Sequence, residues 1–234
     1  MQIIPLAGKG SRFRDQGYDT PKYLLPLKDK PILEHILSYF HKDRKTLLIA
    51  NASDCSASRI QEIVVRLGFE CFDIVEIGDT EGQLETVVLG IKASRFQGHT
   101  GPMWIYNGDT VRQATVPYDI FENHPHEGFV EVFEELGDHW SFADNLGEVR
   151  RVVEKERISN FCSTGLYGFR STRKIISDFE KNRYAKTKRE FYVSTVFQSL
   201  LEDGRRVFSF LTPRDKFVLC GTPEEYRNAI NSEL

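Results

Sequence analysis

"IIPLAGKGSRF" occupies positions 3 to 13 of the chain. Ile3 to Leu6 reads as a short buried strand, and Gly8-Lys9-Gly10-Ser11-Arg12 as the loop leaving its carboxyl end. In a parallel sheet, ligands bind beyond such ends. Gly8 and Gly10 let backbone N–H groups approach an anion closely. Arg12 adds a permanent charge whose fork suits phosphate oxygens. A dinucleotide fingerprint would need a third glycine where Phe13 stands, and a Walker loop would need Gly-Lys-Ser/Thr after a four-residue gap. Neither pattern is met. A plain strand-to-helix turn stays open, weakened by Arg12 and by the Pro21-Lys22 that follows.

Outward from this stretch, the first half alternates apolar runs with helical patterns. Ile32, Leu33, Ile36, Leu37 and Phe40 recur with helical period after Pro31, which suits a first helical position. Thr46–Ala50, Phe72–Ile77 and Met103–Tyr106 read as strands. Between them, Ile60, Ile63, Val64 and Leu67 mark a helix capped by Asp54 or Ser56 and closed by Gly68. Leu84, Val87, Val88 and Ile91 mark another. Strands separated by helices imply a parallel sheet with right-handed crossovers. In the second half, Phe129–Leu136, Val149–Val153 and Leu166–Phe169 read as strands of a mixed sheet. Helices follow over Thr172–Lys181 and Glu190–Glu202, the second ended by Gly204. Val207–Leu211 and Lys216–Leu219 are late strands, and Pro223 opens the last helix. Without a linker or internal repeat, residues 1–234 read as one domain. The half that reads as nucleotide-binding comes first, over about 1–115, and the second half covers about 116–234.

The chain has 234 residues, 40% hydrophobic and 28% charged, which argues against extensive disorder. A formal charge of -3 gives no reason to expect nucleic acid or a membrane surface as partner. No apolar run approaches the roughly 18 residues of a membrane span, and no signal peptide is visible, so a soluble cytoplasmic protein is expected. Cys55, Cys71, Cys162 and Cys220 lie too far apart for a zinc site or a compact disulfide framework. His124 and His126, flanking Pro125, read as a solvated loop in preference to a ligand pair.

Two further stretches carry chemistry. Lys22, framed by Pro21 and the apolar run that follows, is a held ammonium that can meet a phosphate. Asp109 in Asn107-Gly108-Asp109 lies at a strand end, the natural place for a ligand to a hard cation such as magnesium. As an isolated pattern, Asn-Gly-Asp is equally a hairpin turn.

Taken in order, "PLAGKGSRF…TPKYLLPLKDKPILEHIL", "EGQLETVVLGIKA" and "IYNGDT" resemble the sugar-nucleotide pyrophosphorylase, or nucleotidyltransferase, family. "VRRVVEK", "STGLYGF", "EFYVSTVFQSLLEDG" and "GTPEEY" extend the resemblance over nearly the whole chain. It implies an α/β, Rossmann-like GT-A nucleotidyltransferase fold, a mainly parallel central mixed sheet flanked by helices. It also implies transfer of a nucleotidyl group from an NTP to a phosphorylated acceptor, with magnesium (or manganese) and release of pyrophosphate. Carried over by position, Leu6, Ala7, Gly8, Gly10 and Ser11 would meet the NTP, with Arg12 at the leaving pyrophosphate. Lys22 would contact the α-phosphate region. Gly82 and Gln83 would line the base pocket, Asn107 and Gly108 would also meet the nucleotide, and Asp109 would bind the metal. Glu154, Lys155, Thr164, Gly165 and Glu190 would serve the acceptor, Lys155 through its phosphate. Arg12, Lys22, Asp109 and Lys155 are the expected catalytic set.

One departure stands out. Many family members place a second metal-binding aspartate shortly before or directly before Gly-Thr-Pro. Here Val218 and Leu219 are apolar and Cys220 precedes Gly221-Thr222-Pro223, with Asp215 the nearest earlier acid. Thiolates are poor magnesium ligands. Either Asp109 and phosphates hold the metal largely alone, or metal use differs, or activity is lost. The expected reaction uses a pyrimidine NTP and a sugar 1-phosphate, for surface polysaccharide or capsule precursors. The alternatives are a cytidylyltransferase acting on a phosphocholine- or phosphoglutamine-like acceptor and a non-catalytic nucleotide-binding regulator.

Overall fold

A computed structural model describes residues 1–183 and 190–231. The first half runs β1 (Gln2–Pro5), α1 (Ser11–Arg14), the hairpin β2 (Pro26–Leu27) and β3 (Lys30–Pro31), α2 (Ile32–Ser38), β4 (Thr46–Asn51), α3 (Ala57–Arg66), β5 (Phe72–Ile77), α4 (Gln83–Ala93) and β6 (Met103–Tyr106). The second half adds β7 (Thr110–Arg112), α5 (Ile120–Asn123), β8 (Gly128–Glu134), β9 (Ser141–Ala143), β10 (Gly147–Val149), β11 (Val152–Glu154) and β12 (Phe161–Phe169). It ends with α6 (Thr172–Asn182), α7 (Thr195–Glu202), β13 (Val207–Leu211), β14 (Phe217–Leu219) and α8 (Pro223–Asn231).

The main sheet has the order β10-β13-β8-β12-β6-β1-β4-β5. β5, β4, β1 and β6 are mutually parallel, β12 is antiparallel to both β6 and β8, and β13 returns parallel to β8. This is the expected mixed sheet. Successive residues of its central strands face opposite layers, as the two-residue period of a strand requires. Ile3, Leu47 and Ile105 pack under α4, α6 and α7, whereas Ile4, Leu48 and Trp104 pack under α2 and α3. Burial on both faces explains why these strands read as unbroken apolar runs.

Four details differ from the sequence expectation. Val149–Val153 is two strands: β10 pairs with β13, and β11 pairs with β9. The helix expected from Glu190 starts at Thr195. Phe191 instead donates its N–H to Glu81 and accepts the N–H of Leu84, one of the otherwise orphan donors of α4. Ser56 stands at the start of α3 but its hydroxyl bonds Tyr23, while Asp54 takes Arg14 and Tyr23. His126 is buried against Glu148, 2.9 Å away, so the histidine pair is not a solvated loop. Among the described residues no three His, Cys, Asp or Glu side chains form a ready metal cage, the four cysteines are free, and no helix is long and apolar enough to cross a membrane.

Candidate active site

The order of the parallel strands reverses at β1, which has β4 on one side and β6 on the other. A crevice opens at the carboxyl ends of strands at such a switch point. The Gly8–Arg12 loop leaves β1 there and Asn107-Gly108-Asp109 leaves β6, so one cavity of about 660 Å³ receives both. Its size suits a small organic ligand.

Leu6 extends the β1–β4 ladder with an N–H to Ile49 of 2.7 Å, and the chain then turns at Gly10. Gly10 has φ 60° and ψ 26°, a left-handed backbone that glycine adopts without penalty. Its carbonyl accepts from Phe13 and Arg14 and starts α1. Phe13 is buried, which anchors the turn and leaves Ser11 and Arg12 exposed on the cavity side. Lys9 is paired with Asp79 at 3.0 Å, but Arg12 has no ion-pair partner among the described residues.

Lys22 opens a single 3₁₀ turn fixed by the buried Tyr23 and Leu24. Its ammonium lies 2.6 Å from the Asp109 carboxylate. Asn107-Gly108-Asp109 is not a hairpin, because β7 pairs with β14 and not with β6. Gln83 donates to the Asn107 side chain at 2.6 Å. Gly82 has φ 152° and sits so close to the 190s segment that an added Cβ would be 2.5 Å from the Phe191 carbonyl oxygen. That contact joins the Gly82–Gln83 edge of the cavity to the second half of the chain.

On the wall built by the second half of the chain, Glu154 accepts from Ser141 and, at 2.8 Å, from Ser194. Tyr167, Trp140, His139, Glu190 and Tyr192 complete this wall. Lys155 does not line the cavity. It stands at the rim with a left-handed backbone (φ 55°), an unusual conformation for a side chain with a Cβ. Its ammonium donates to Tyr192 at 2.5 Å and lies 3.8 Å from Glu190; the Tyr192 hydrogen bond, ahead of the acidic neighbours, raises its pKa. The Thr164 hydroxyl is turned away from the cavity and donates to buried Glu131 at 2.7 Å. Gly165 lies beneath Asn107, outside the cavity lining.

The cavity therefore brings together Leu6, Ala7, Gly8, Gly10, Ser11, Arg12, Lys22, Gly82, Gln83, Asn107, Gly108, Asp109, Glu154, Thr164 and Glu190, and leaves Lys155 and Gly165 outside. The sequence reading missed the cavity-lining Ser141, Ser194, Trp140, Tyr192 and Glu225, whose local patterns do not point to a site. Cys220, which stands where many family members carry an acid, does not line the cavity. That side chain is buried in the core, where burial first and the nearby Asp109 and Glu225 second push its thiol up to about 12. Leu219 is the β14 residue that faces the cavity.

No model of a known protein family matches the sequence. The fold is similar to the crystal structure of a nucleoside-diphosphate-sugar pyrophosphorylase from Vibrio cholerae RC9, with TM-score 0.91, 32% identity and coverage of 99% of this chain and 100% of that one. A putative glucose-1-phosphate thymidylyltransferase from Bacillus anthracis shares the fold with TM-score 0.76 and 18% identity, covering 98% of this chain and 93% of that one. The bifunctional protein GlmU of Methanococcus maripaludis is 22% identical over 215 residues, 87% of this chain. The chain spans about half the length of that curated relative, 47%. The Gly8–Arg12 loop and the Lys22–Asp109 pair at the sheet's switch point, with a 32%-identical relative matched over its whole length, lead to one assignment: the chain belongs to the nucleoside-diphosphate-sugar pyrophosphorylase family and is a nucleotidyltransferase.

Proposed function

We propose that this enzyme transfers NMP from a pyrimidine NTP to a sugar 1-phosphate, releases pyrophosphate and supplies precursors for surface polysaccharide. The observation that carries the reading is that the Gly8–Arg12 loop, the Lys22–Asp109 pair and Glu154 with Glu190 open onto one cavity. The acceptor phosphate is already anionic at neutral pH, so no general base is needed. Its oxygen attacks the α-phosphorus in line with the departing pyrophosphate. The backbone of Gly8, Gly10 and Ser11 binds the NTP phosphates, unpaired Arg12 faces the leaving group, and Lys22 neutralises charge near the α-phosphate. Lys155, whose side chain is about half exposed at the rim, exchanges Tyr192 for the acceptor phosphate.

Magnesium is held by one or two carboxylates together with substrate phosphates and waters. Asp109 offers such a carboxylate to the cavity, where its present partner is the Lys22 ammonium. The residues present fit the ion, which when bound would offset charge on the phosphates. On the base side, Gln83 tied to Asn107 and Gly82 pressed on Phe191 make close walls that favour a pyrimidine over a purine.

A second reading, a cytidylyltransferase for a phosphorylated amine, is favoured by one feature. The Lys155 ammonium lies 4.6 Å over the Tyr192 ring beside Glu190, a corner able to take an acceptor's cationic group. A pyrophosphate-release screen decides between them: CTP, UTP, dTTP and ATP against sugar 1-phosphates, phosphocholine and related phosphorylated amines. Release with a pyrimidine NTP and a sugar 1-phosphate is expected. Turnover confined to the amines establishes the second reading, and silence from folded protein across the panel overturns both.

A further inference from the structure

We propose that Glu225, in the first turn of α8, is the acidic partner of Asp109 toward the divalent cation, and that position 221 is glycine to keep the space between the two carboxylates open. This rests on the metal-assisted transfer reading above. β14 is held beside Asp109: Leu219 pairs with Thr110, and the Cys220 N–H donates to the Asp109 carbonyl at 2.8 Å. That strand supplies no oxygen ligand from its side chains there. Leu219 faces the cavity but is apolar, and the Cys220 thiol is in the core.

The next turn supplies one. The Thr222 N–H donates to Glu225 Oε2 at 2.8 Å, and the Glu225 N–H donates to Thr222 Oγ1 at 3.2 Å. This reciprocal capping box folds the carboxylate back over the start of α8. There it lines the cavity, whereas the adjacent Glu224 is exposed and does not. A methyl group built on Gly221 would stand 3.2 Å from Glu225 Oε2 and 3.4 Å from Asp109 Oδ2. Two carboxylates from distant parts of the chain thus converge on one point, kept vacant by a glycine whose backbone is not left-handed. The requirement at 221 is for space, not for conformation. The Lys22 ammonium sits 2.6 Å from that same Asp109 Oδ2, a cation already drawn to the corner. Glu225 Oε1 accepts no hydrogen bond among the described residues, so a lone pair remains for the ion or for one of the waters that magnesium retains.

The test is direct Mn²⁺ binding to the full chain, read from the electron paramagnetic resonance signal of free Mn²⁺, with thermal unfolding measured in parallel. Glu225→Gln keeps a capping-box acceptor and removes the charge. It should raise the Kd for Mn²⁺ by about 10–100-fold, the range seen when a supporting metal-site group is lost. Glu224→Gln should leave the Kd unchanged. Gly221→Ala, a second and independent probe, should also weaken binding while the protein stays folded. Wild-type Mn²⁺ affinity in Glu225→Gln, with weakened binding in Asp109→Asn, would reduce Glu225 to a helix cap and overturn the inference alone. Because substrate phosphates share the ion, absence of Mn²⁺ binding by the wild type both alone and with NTP present, beyond the uptake by free NTP, would overturn the metal reading itself.

Discussion

Arg112–Glu131 and Lys22–Asp109 are ion pairs on neighbouring segments, built for opposite ends. Arg112 and Glu131 are 1% and 0% exposed and meet through two hydrogen bonds of 2.9 and 3.0 Å. Thr164 and Thr212 donate to the remaining carboxylate lone pairs, and Arg112 donates onward to the Ala114 and Thr115 carbonyls. Every charge is answered from within, so this pair has nothing left for a ligand. Lys22 and Asp109 are 24% and 25% exposed and share one contact. Both retain donors or lone pairs facing the cavity. A satisfied pair holds strands in register, whereas a pair left partly unsatisfied at a cavity is held ready for a substrate.

The largest effect is expected from breaking the buried pair. Arg112→Met would strand the Glu131 carboxylate in the core and cost about 3–5 kcal/mol of stability, measured by urea unfolding. Arg112→Met with Glu131→Leu should recover only part of that loss, because the Thr164 and Thr212 hydroxyls lose their acceptor. Full recovery would show that the hydroxyls are indifferent to the carboxylate.

The open pair should behave the other way. Lys22→Ala and Asp109→Asn are each expected to lower the rate of pyrophosphate release by about 10²–10³-fold. Their effect on stability should stay within about 1 kcal/mol, as for other partly exposed ion pairs. Near wild-type turnover in both variants would overturn the proposed mechanism.

The contrast also explains what could be read from the sequence. Strands buried on both faces and helices with one apolar face repeat their signals every few residues, so the first half was legible. That the Gly8–Arg12 loop and Asp109 lie at strand ends on the cavity was legible because glycines and a strand-end carboxylate act locally. Phe191 was not: its stretch has helical character, but its backbone is claimed by Glu81 and Leu84 from another segment. Glu225 was hidden for a related reason, since its local pattern is only a helix cap and its meeting with Asp109 is made by the fold. Ser141 and Ser194 acquire meaning only by converging on Glu154.

A smaller effect follows from the seam between the halves. Gly82→Ala places a methyl against the Phe191 carbonyl, and neither backbone segment can yield without shifting the cavity wall proposed to meet the base. A cost of about 1–3 kcal/mol is expected from such overpacking. The KM for the NTP should rise more than kcat falls. An unchanged KM would show that the seam does not shape the base side.

The smallest effect should come from a third, more exposed pair, which completes the comparison. Glu148 accepts from Arg206 and is paired with His126, and these partners, Arg206 first, lower its pKa from 4.5 to about 2. Because its folded-state value is depressed, its contribution is present above pH 4.5 and disappears as pH falls through about 2. Both Arg206 and Glu148 are about half exposed, and solvent screening limits the contribution to about 1 kcal/mol or less. Arg206→Met should therefore lower the urea midpoint slightly near neutral pH, with the difference from wild type shrinking as Glu148 becomes protonated in acid. Pyrophosphate release should not change, since neither residue lines the cavity. A difference that grows on acidification would reverse the sign of the coupling and show that Glu148 is held by something other than Arg206.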